Sequence, residues 1–258
     1  MQAVVIDGQD RIRFLPMGLF LGTSGWAYPE WQPGFYPEGL ARARFLGHYS
    51  SQMGACEVNA TFYRLQSEST FERWASDVGD DFRFVIKAHR RITHGAGLMA
   101  GDGDGEFVAR FCESLRPLGT KLGAVLLQFP PTRRRDDEAL GRLLDALPTG
   151  LRVACEFRHT SWDDESVNGL LMAAGTGRCL ADTEGVVPAS LPPGPIGYVR
   201  LRSNHYSSDA RLAWSGLLAS EGRERDVYAF AKHEGVPAGD PHAGIGLAQW
   251  LRANAAPR

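Results

Sequence analysis

The chain has 258 residues, a formal net charge of −2 and 22% charged residues. That length is close to the ~250 residues of a single α/β barrel and is enough for one large core. The charge balance excludes a global attraction to nucleic acid or anionic membranes and leaves only local basic patches. Eight apolar, strand-like runs follow in order. The first is Leu19–Thr23, and a Gly/Pro/aromatic loop leads from it to a helical pattern over Leu40–Met53. Strand Cys56–Asn59 precedes a helix near Ser69–Val78, and Phe82–Lys87 alternates with period two ahead of helix Glu106–Leu115, which Pro117 stops. Leu122–Gln128 ends at Pro130-Pro131, and Asp137–Leu147 carries leucines at helical spacing. Arg152–Glu156, helix Ser166–Ala174 and strand Arg178–Ala181 come next, then a Pro-rich stretch through Pro195. Ile196–Arg202, helix Leu212–Ser220, strand Asp226–Phe230 and helix Ile245–Ala253 complete the series.

Strands alternating with helices imply βα units and a parallel sheet. Eight units in this length predict a TIM-type (β/α)8 barrel over residues 19–258, preceded by an N-terminal extension over residues 1–18. No dinucleotide or phosphate-loop glycine motif supports an open nucleotide-binding sheet. In such a barrel the chemistry sits at the C-terminal ends of the strands, and there this chain places polar groups: Glu57 and Asn59, Lys87, Gln128, Glu156 and Arg158, Asp182, then Arg200 and Arg202. Alternation puts Glu57 with Asn59, Glu156 with Arg158, and Arg200 with Arg202 and Tyr198 on the inward face. Cys56 and Cys155 fall on the helix side, which argues against a thiol nucleophile.

Each group has more than one reading. Glu57, Glu156 and Asp182 suit a divalent cation, or they pair with Lys87 and the arginines in a buried network, which the number of cations favours. Lys87 reads as an ion-pair partner of Glu57 or Glu156; the alternatives are a Schiff-base amine or a general acid. Arg158, Arg200 and Arg202 suit a phosphate or carboxylate bidentately, or act as barrel salt bridges. His159, directly after Glu156 and Arg158, is the best-placed imidazole for acid–base work, ahead of His94, His205 and His233, though loop histidines are commonly surface or capping residues. Trp26, Tyr63 and Trp162 offer stacking faces, whereas Trp31 and Tyr36 read equally as a plug over the barrel. Ser24 lies in a turn whose N–H groups suit an oxyanion. Arg133-Arg134-Arg135 reads as a solvated turn. The four cysteines show no metal spacing and read as buried thiols. The first residues lack the form of a signal peptide, no stretch is suited to span a membrane, and a cytoplasmic protein is expected.

Together, Gly22–Trp26 (GTSGW), Trp31 with Phe35–Pro37, Glu57–Arg64 (EVNATFYR), Phe82–Lys87 (FRFVIK), Arg91–His94 (RITH), Leu126–Pro131 (LLQFPP), Glu156–His159 (EFRH) with Ser161-Trp162, and Tyr198–Arg202 (YVRLR) resemble the YecE-like family, domain of unknown function 72. The resemblance implies an α/β barrel and names no reaction. The chain departs from the family pattern at Ser203–Ser207 and Phe230–Glu234, where many relatives carry a longer glycine-rich loop and asparagines. If those loops touch the ligand, the substrate differs from that of other members.

The expected function is an enzyme acting on a small anionic, sugar- or nucleotide-like ligand at the barrel mouth. Glu57, Lys87, Glu156 and His159 are the catalytic candidates. Ser24, Trp26, Asn59, Tyr63, Gln128, Arg158, Trp162, Asp182, Arg200 and Arg202 are the ligand-binding candidates. Hydrolase, lyase or isomerase chemistry without a redox cofactor is expected, with no cofactor and with a divalent metal as the alternative. A single-stranded nucleic-acid binder and a metal-dependent phosphoesterase are the other readings.

Overall fold

The computed structural model describes residues 4–6, 12–14, 18–96, 98–101, 103–232 and 234–255. A small antiparallel hairpin pairs β1 (Val4–Ile6) with β2 (Ile12–Phe14). The other eight strands close a parallel barrel. They are β3 (Leu19–Thr23), β4 (Ala55–Val58), β5 (Arg83–Lys87), β6 (Leu122–Gln128), β7 (Val153–Glu156), β8 (Gly177–Asp182), β9 (Ile196–Leu201) and β10 (Asp226–Ala231). Each pairs with its neighbour in sequence, and β10 returns to β3. All eight predicted strands are present, shifted by at most a residue or two at their ends.

The helices that connect the strands are α1 (Phe45–Gln52), α2 (Ala60–Tyr63), α3 (Glu68–Ser76), α4 (Arg90–His94), α5 (Asp104–Ser114), α6 (Asp137–Asp145), α7 (Glu165–Ala173) and α8 (Ser208–Glu224), with α9 (Gly244–Asn254) after the last strand. Side-chain caps set several starts: Ser67 accepts from the Thr70 N–H, Asp136 from Ala139, Asp164 from Ser166 and Ser207 from Ala210. The Ser207 cap starts α8 four residues before the predicted Leu212, because its first turn is polar and carries no apolar period. Conversely, α1 starts later than the predicted Leu40, since residues 42–44 form a 3-10 turn.

Two apolar layers result from the strand alternation. The larger lies between strands and helices and includes Cys56, Val58, Cys155, Val199 and Leu201. The smaller fills the barrel: Ala55, Val85, Leu126, Ala154, Cys179, Tyr198, Tyr228 and Phe230 among others. One step further along the inward face, the same strands present Glu57, Lys87, Gln128, Glu156 and Arg200, all buried. The barrel is therefore packed with hydrocarbon below and capped by a charged layer at its C-terminal end. No helix among the described residues is long and apolar enough to cross a membrane.

Candidate functional site

Arg200 on β9 is the hub of the charged layer. Its Nη1 donates to Glu156 Oε2 at 2.7 Å and its Nη2 to Glu57 Oε1 at 2.9 Å. Glu57 also accepts from the Tyr198 hydroxyl at 2.7 Å and from Asn59 Nδ2 at 3.4 Å. Glu156 accepts further from Gln128 Nε2 and Arg158 Nε, both at 2.8 Å. Burial alone would raise both carboxyl pKa values. The Arg200 charge together with the Tyr198 hydrogen bond at Glu57, and with Arg158 and Gln128 at Glu156, outweighs it, so both are lowered, Glu156 to about 2. Both glutamates are ionised at neutral pH, and each accepts three hydrogen bonds.

Lys87 was expected to pair with one of these glutamates, and it does not. Arg200 bridges both with a planar fork, a geometry an ammonium cannot match. Lys87, 9% exposed, instead places its Nζ 4.1 Å from the centroid of the Phe62 ring. Among the described residues that amine has no carboxylate within ion-pair distance. Burial and then the Arg200 charge lower its pKa to about 8, against a partial opposing pull from Glu57 and Glu156.

Above this layer opens a cavity of about 620 Å³, lined by Tyr28, Asn59, Phe62, Tyr63, Lys87, Arg90, His94, Gln128, Arg158, Arg200, Arg202 and Glu234. Cations dominate the wall. Arg202 lies 3.8 Å from Glu234, while the guanidinium of Arg90 has no ion-pair partner among the described residues. His94 reports the resulting field: burial lowers its pKa, and Lys87, Arg158, Arg90 and Arg133 each lower it further. Its Nδ1 lies 2.8 Å from the Thr93 hydroxyl, and its ring packs edge-on to Phe62 at 4.8 Å. Tyr63 is 71% exposed at the rim.

The structure thus gathers Glu57, Asn59, Tyr63, Lys87, Gln128, Glu156, Arg158, Arg200 and Arg202 in or directly beneath one cavity. Five other candidates do not line it. His159 accepts from the Ser161 N–H through Nδ1 and caps the 3-10 turn Thr160–Trp162. Trp162 is buried in the helix layer, stacked on Phe157 at 4.3 Å, with its indole N–H donating to the Arg133 carbonyl. Trp26 packs edge-on to Trp74 at 5.1 Å. The Ser24 turn is already consumed, since the Ser24 and Gly25 N–H groups donate to Ala231 and Thr23 carbonyls. Asp182 sits opposite Leu201 in the sheet, on the outward face, and its Oδ1 accepts from the N–H groups of Glu184, Gly185 and Val186. It therefore does not converge with Glu57 and Glu156, and no group of three or more His, Cys, Asp or Glu side chains placed to hold a metal occurs among the described residues. Glu57 and Glu156 are the two carboxylates in this layer, and their oxygens already meet Arg200, Tyr198, Gln128 and Arg158.

Other groups settle into structural places. Trp31 and Tyr36 are buried with Phe35, Phe45 and Tyr49. Arg133 donates to the Gly95 carbonyl, and Arg135 grips Asp137 with two bonds at 2.7 Å. His205 stacks on His242 at 4.8 Å, away from the cavity, and His233 lies outside the described residues. The sequence reasoning missed Tyr28, Phe62, Arg90 and Glu234 as wall residues. Phe62 and Arg90 sit on α2 and α4, elements too short to show a period. The EVNATFYR segment contained Phe62 without singling it out, and GTSGW ended two residues before Tyr28.

Comparison with known proteins agrees with this architecture. The model of a family described as "Protein of unknown function DUF72" matches residues 20–255. The UPF0759 protein YecE of Escherichia coli K12 is 29% identical over 174 residues, 65% of this chain and 60% of that protein. The UPF0759 protein YunF of Bacillus subtilis is 31% identical over 149 residues, 56% of this chain and 52% of that one. The matches thus span little more than half the length of these curated relatives. A DUF72 family protein of Thermotoga maritima, of known structure, superposes with a TM-score of 0.74 at 24% identity, covering 92% of this chain and 98% of that one. That likeness concerns the fold.

Proposed function

This chain belongs to the DUF72 family, and we propose that it is an enzyme that binds a small carboxylate- or phosphate-bearing molecule in the mouth of its barrel and moves a proton there through Lys87. The observation that carries this reading is the division of charge in the layer below the cavity. Arg200 takes both carboxylates of this layer, and the neighbouring lysine is left without a carboxylate at ion-pair distance among the described residues. A buried ammonium lacking a counter-charge is unfavourable, and an anionic ligand would supply that charge. Arg90, Arg158 and Arg202 are guanidinium forks suited to hold it, and Tyr63 offers an open aromatic face to a ring.

An amine whose pKa is about 8 exchanges its proton near neutral pH, which suits a general acid or base. Glu57 and Glu156 serve this reading as positioning residues. Their pKa values are lowered and their oxygens occupied, so they orient Arg200, Tyr198 and Gln128 beneath the ligand. His159 has no part in it.

The test is calorimetric titration with inorganic phosphate and with citrate. Saturable binding that weakens with salt is expected, and Arg90→Ala should weaken it about 10-fold or more, the worth of a charged hydrogen bond. Arg90 is exposed and holds no ion pair among the described residues, so its removal leaves the fold intact. Heats that never saturate with either anion would refute the reading.

A further inference from the structure

Lysine is almost absent from this chain. Of 28 Lys and Arg residues, the lysines are Lys87, Lys121 and Lys232. Two of them are occupied at the surface. Lys121 Nζ donates to the carbonyls of Ala75 and Val78 at 2.7 and 2.8 Å, and Lys232 Nζ donates to Asn204 Oδ1 at 2.7 Å. Lys87 Nζ has neither a hydrogen-bond acceptor nor an ion-pair partner among the described residues and rests on the Phe62 ring. The other cations of the cavity wall are arginines.

Charge alone does not call for an amine here, because a guanidinium carries charge and hydrogen bonds at least as well. What an amine adds is a lone pair after deprotonation, and with it attack on a carbonyl carbon. We propose that Lys87 forms an imine with an aldehyde or ketone that also bears a carboxylate or phosphate, the anionic group being held by Arg90, Arg158 and Arg202. This rests on the reading of the mouth as an anion site and names the substrate class it would take.

The step is a balanced condensation. The Nζ lone pair forms a bond to the carbonyl carbon while the C=O π pair moves to oxygen. Proton transfer from nitrogen to that oxygen gives a carbinolamine. Loss of the hydroxyl as water leaves the C=N bond, and re-addition of water restores both partners. The burial of Lys87 and the cations around it favour the neutral amine needed for the first bond. The groups that face it are Glu57 on β4, Glu156 and Arg158 at the end of β7, Arg200 on β9 and His94 on α4.

The full-length protein is incubated with glyoxylate and sodium cyanoborohydride, and the labelled lysines are mapped by peptide mass spectrometry. Phosphate binding is measured in parallel by calorimetry. The expected result is one carboxymethyl group on Lys87, formed at least tenfold faster than on Lys121 or Lys232 and slowed by saturating phosphate. Lys87→Arg should take up no label above the level of the other two lysines. Labelling of Lys87 no faster than of Lys121 and Lys232, with phosphate still bound, overturns the imine and leaves the anion site standing. Absence of both selective labelling and phosphate binding overturns the two together. Selective labelling that phosphate does not slow removes the anion from the proposal and overturns it in this form.

Discussion

Lys87 is the residue whose presence the fold does not explain. Its amine has a pKa of about 8 in the native state against 10.5 when unperturbed. At pH 7 the native protein must therefore hold a charge that its surroundings disfavour, while the unfolded chain holds it freely. The sign follows from linkage: Lys87 lowers native stability below pH 8, and the penalty fades as pH rises from about 8 through 10.5. Methionine keeps the length and the contact with Phe62 without the charge. Lys87→Met should thus be more stable than the parent at pH 7 by about 1–2 kcal/mol, a figure reduced for partial solvation of the amine, with the gain vanishing above pH 10 or so. Urea denaturation across that range measures it, and a variant less stable at pH 7 would make Lys87 a structural residue. Stability given up at one position is a common mark of a functional group. Glu57, Lys87, Glu156 and Arg200 were legible in the sequence because each interrupts an apolar strand at its C-terminal end. Asp182 was misplaced by parity: β8 runs on to Asp182, and Cys179 already occupies the inward face. His159 and Trp162 lie past the end of β7, where a 3-10 turn replaces strand alternation: His159 caps that turn and Trp162 packs into the helix layer.

The strands and longer helices were readable from their periods, whereas the two elements that shape the cavity wall were not. Helices α2 and α4 have four and five residues, too few for a 3.6-residue repeat to emerge. What anchors α2 is side-chain chemistry: the Thr61 hydroxyl lies within 2.9 Å of the Val58 carbonyl and 2.7 Å of the Lys87 carbonyl, tying the helix to the ends of β4 and β5. A comparable tie closes one of the two shortest seams of the barrel. β3 and β4 share only the pairs Gly22↔Ala55 and Thr23↔Cys56. Tyr49 of α1 inserts its hydroxyl there, accepting from the Thr23 N–H at 2.8 Å and donating to the Ala55 carbonyl at 3.0 Å. Gly22 makes the room, because a Cβ at that position would fall 2.7 Å from this hydroxyl and 1.8 Å from the Ala55 oxygen. Tyr49→Phe leaves a buried donor and acceptor unpaired, and should cost about 1–3 kcal/mol in chemical denaturation. A change below about 0.5 kcal/mol would show that the seam does not depend on the phenol.

Across the molecule, a net charge of −2 coexists with a cavity whose charged wall residues are mostly cationic, Lys87 and four arginines against Glu234. Fields from such clefts are focused by low-dielectric walls, so local sign outweighs global balance in drawing in a small ligand. The barrel was legible because eight apolar runs alternating with helical patterns leave few other ways to bury them. The allocation of charge was not, because sequence supplies the carboxylates and cations but not which fork reaches which oxygen. Glu57 and Glu156 stay ionised through neutral pH and are spent on Arg200, so Lys87 meets an incoming anion without a resident competitor. With only three lysines in the chain, NMR titration of the Lys87 amine in isotopically labelled protein, with and without inorganic phosphate, reads this arrangement at its source. The expected result is a midpoint of about 8 in the absence of phosphate, moving upward as phosphate saturates, because a bound anion favours the charged amine. A midpoint near 10.5 that phosphate leaves unchanged would mean an ordinary solvated lysine and no anion beside it.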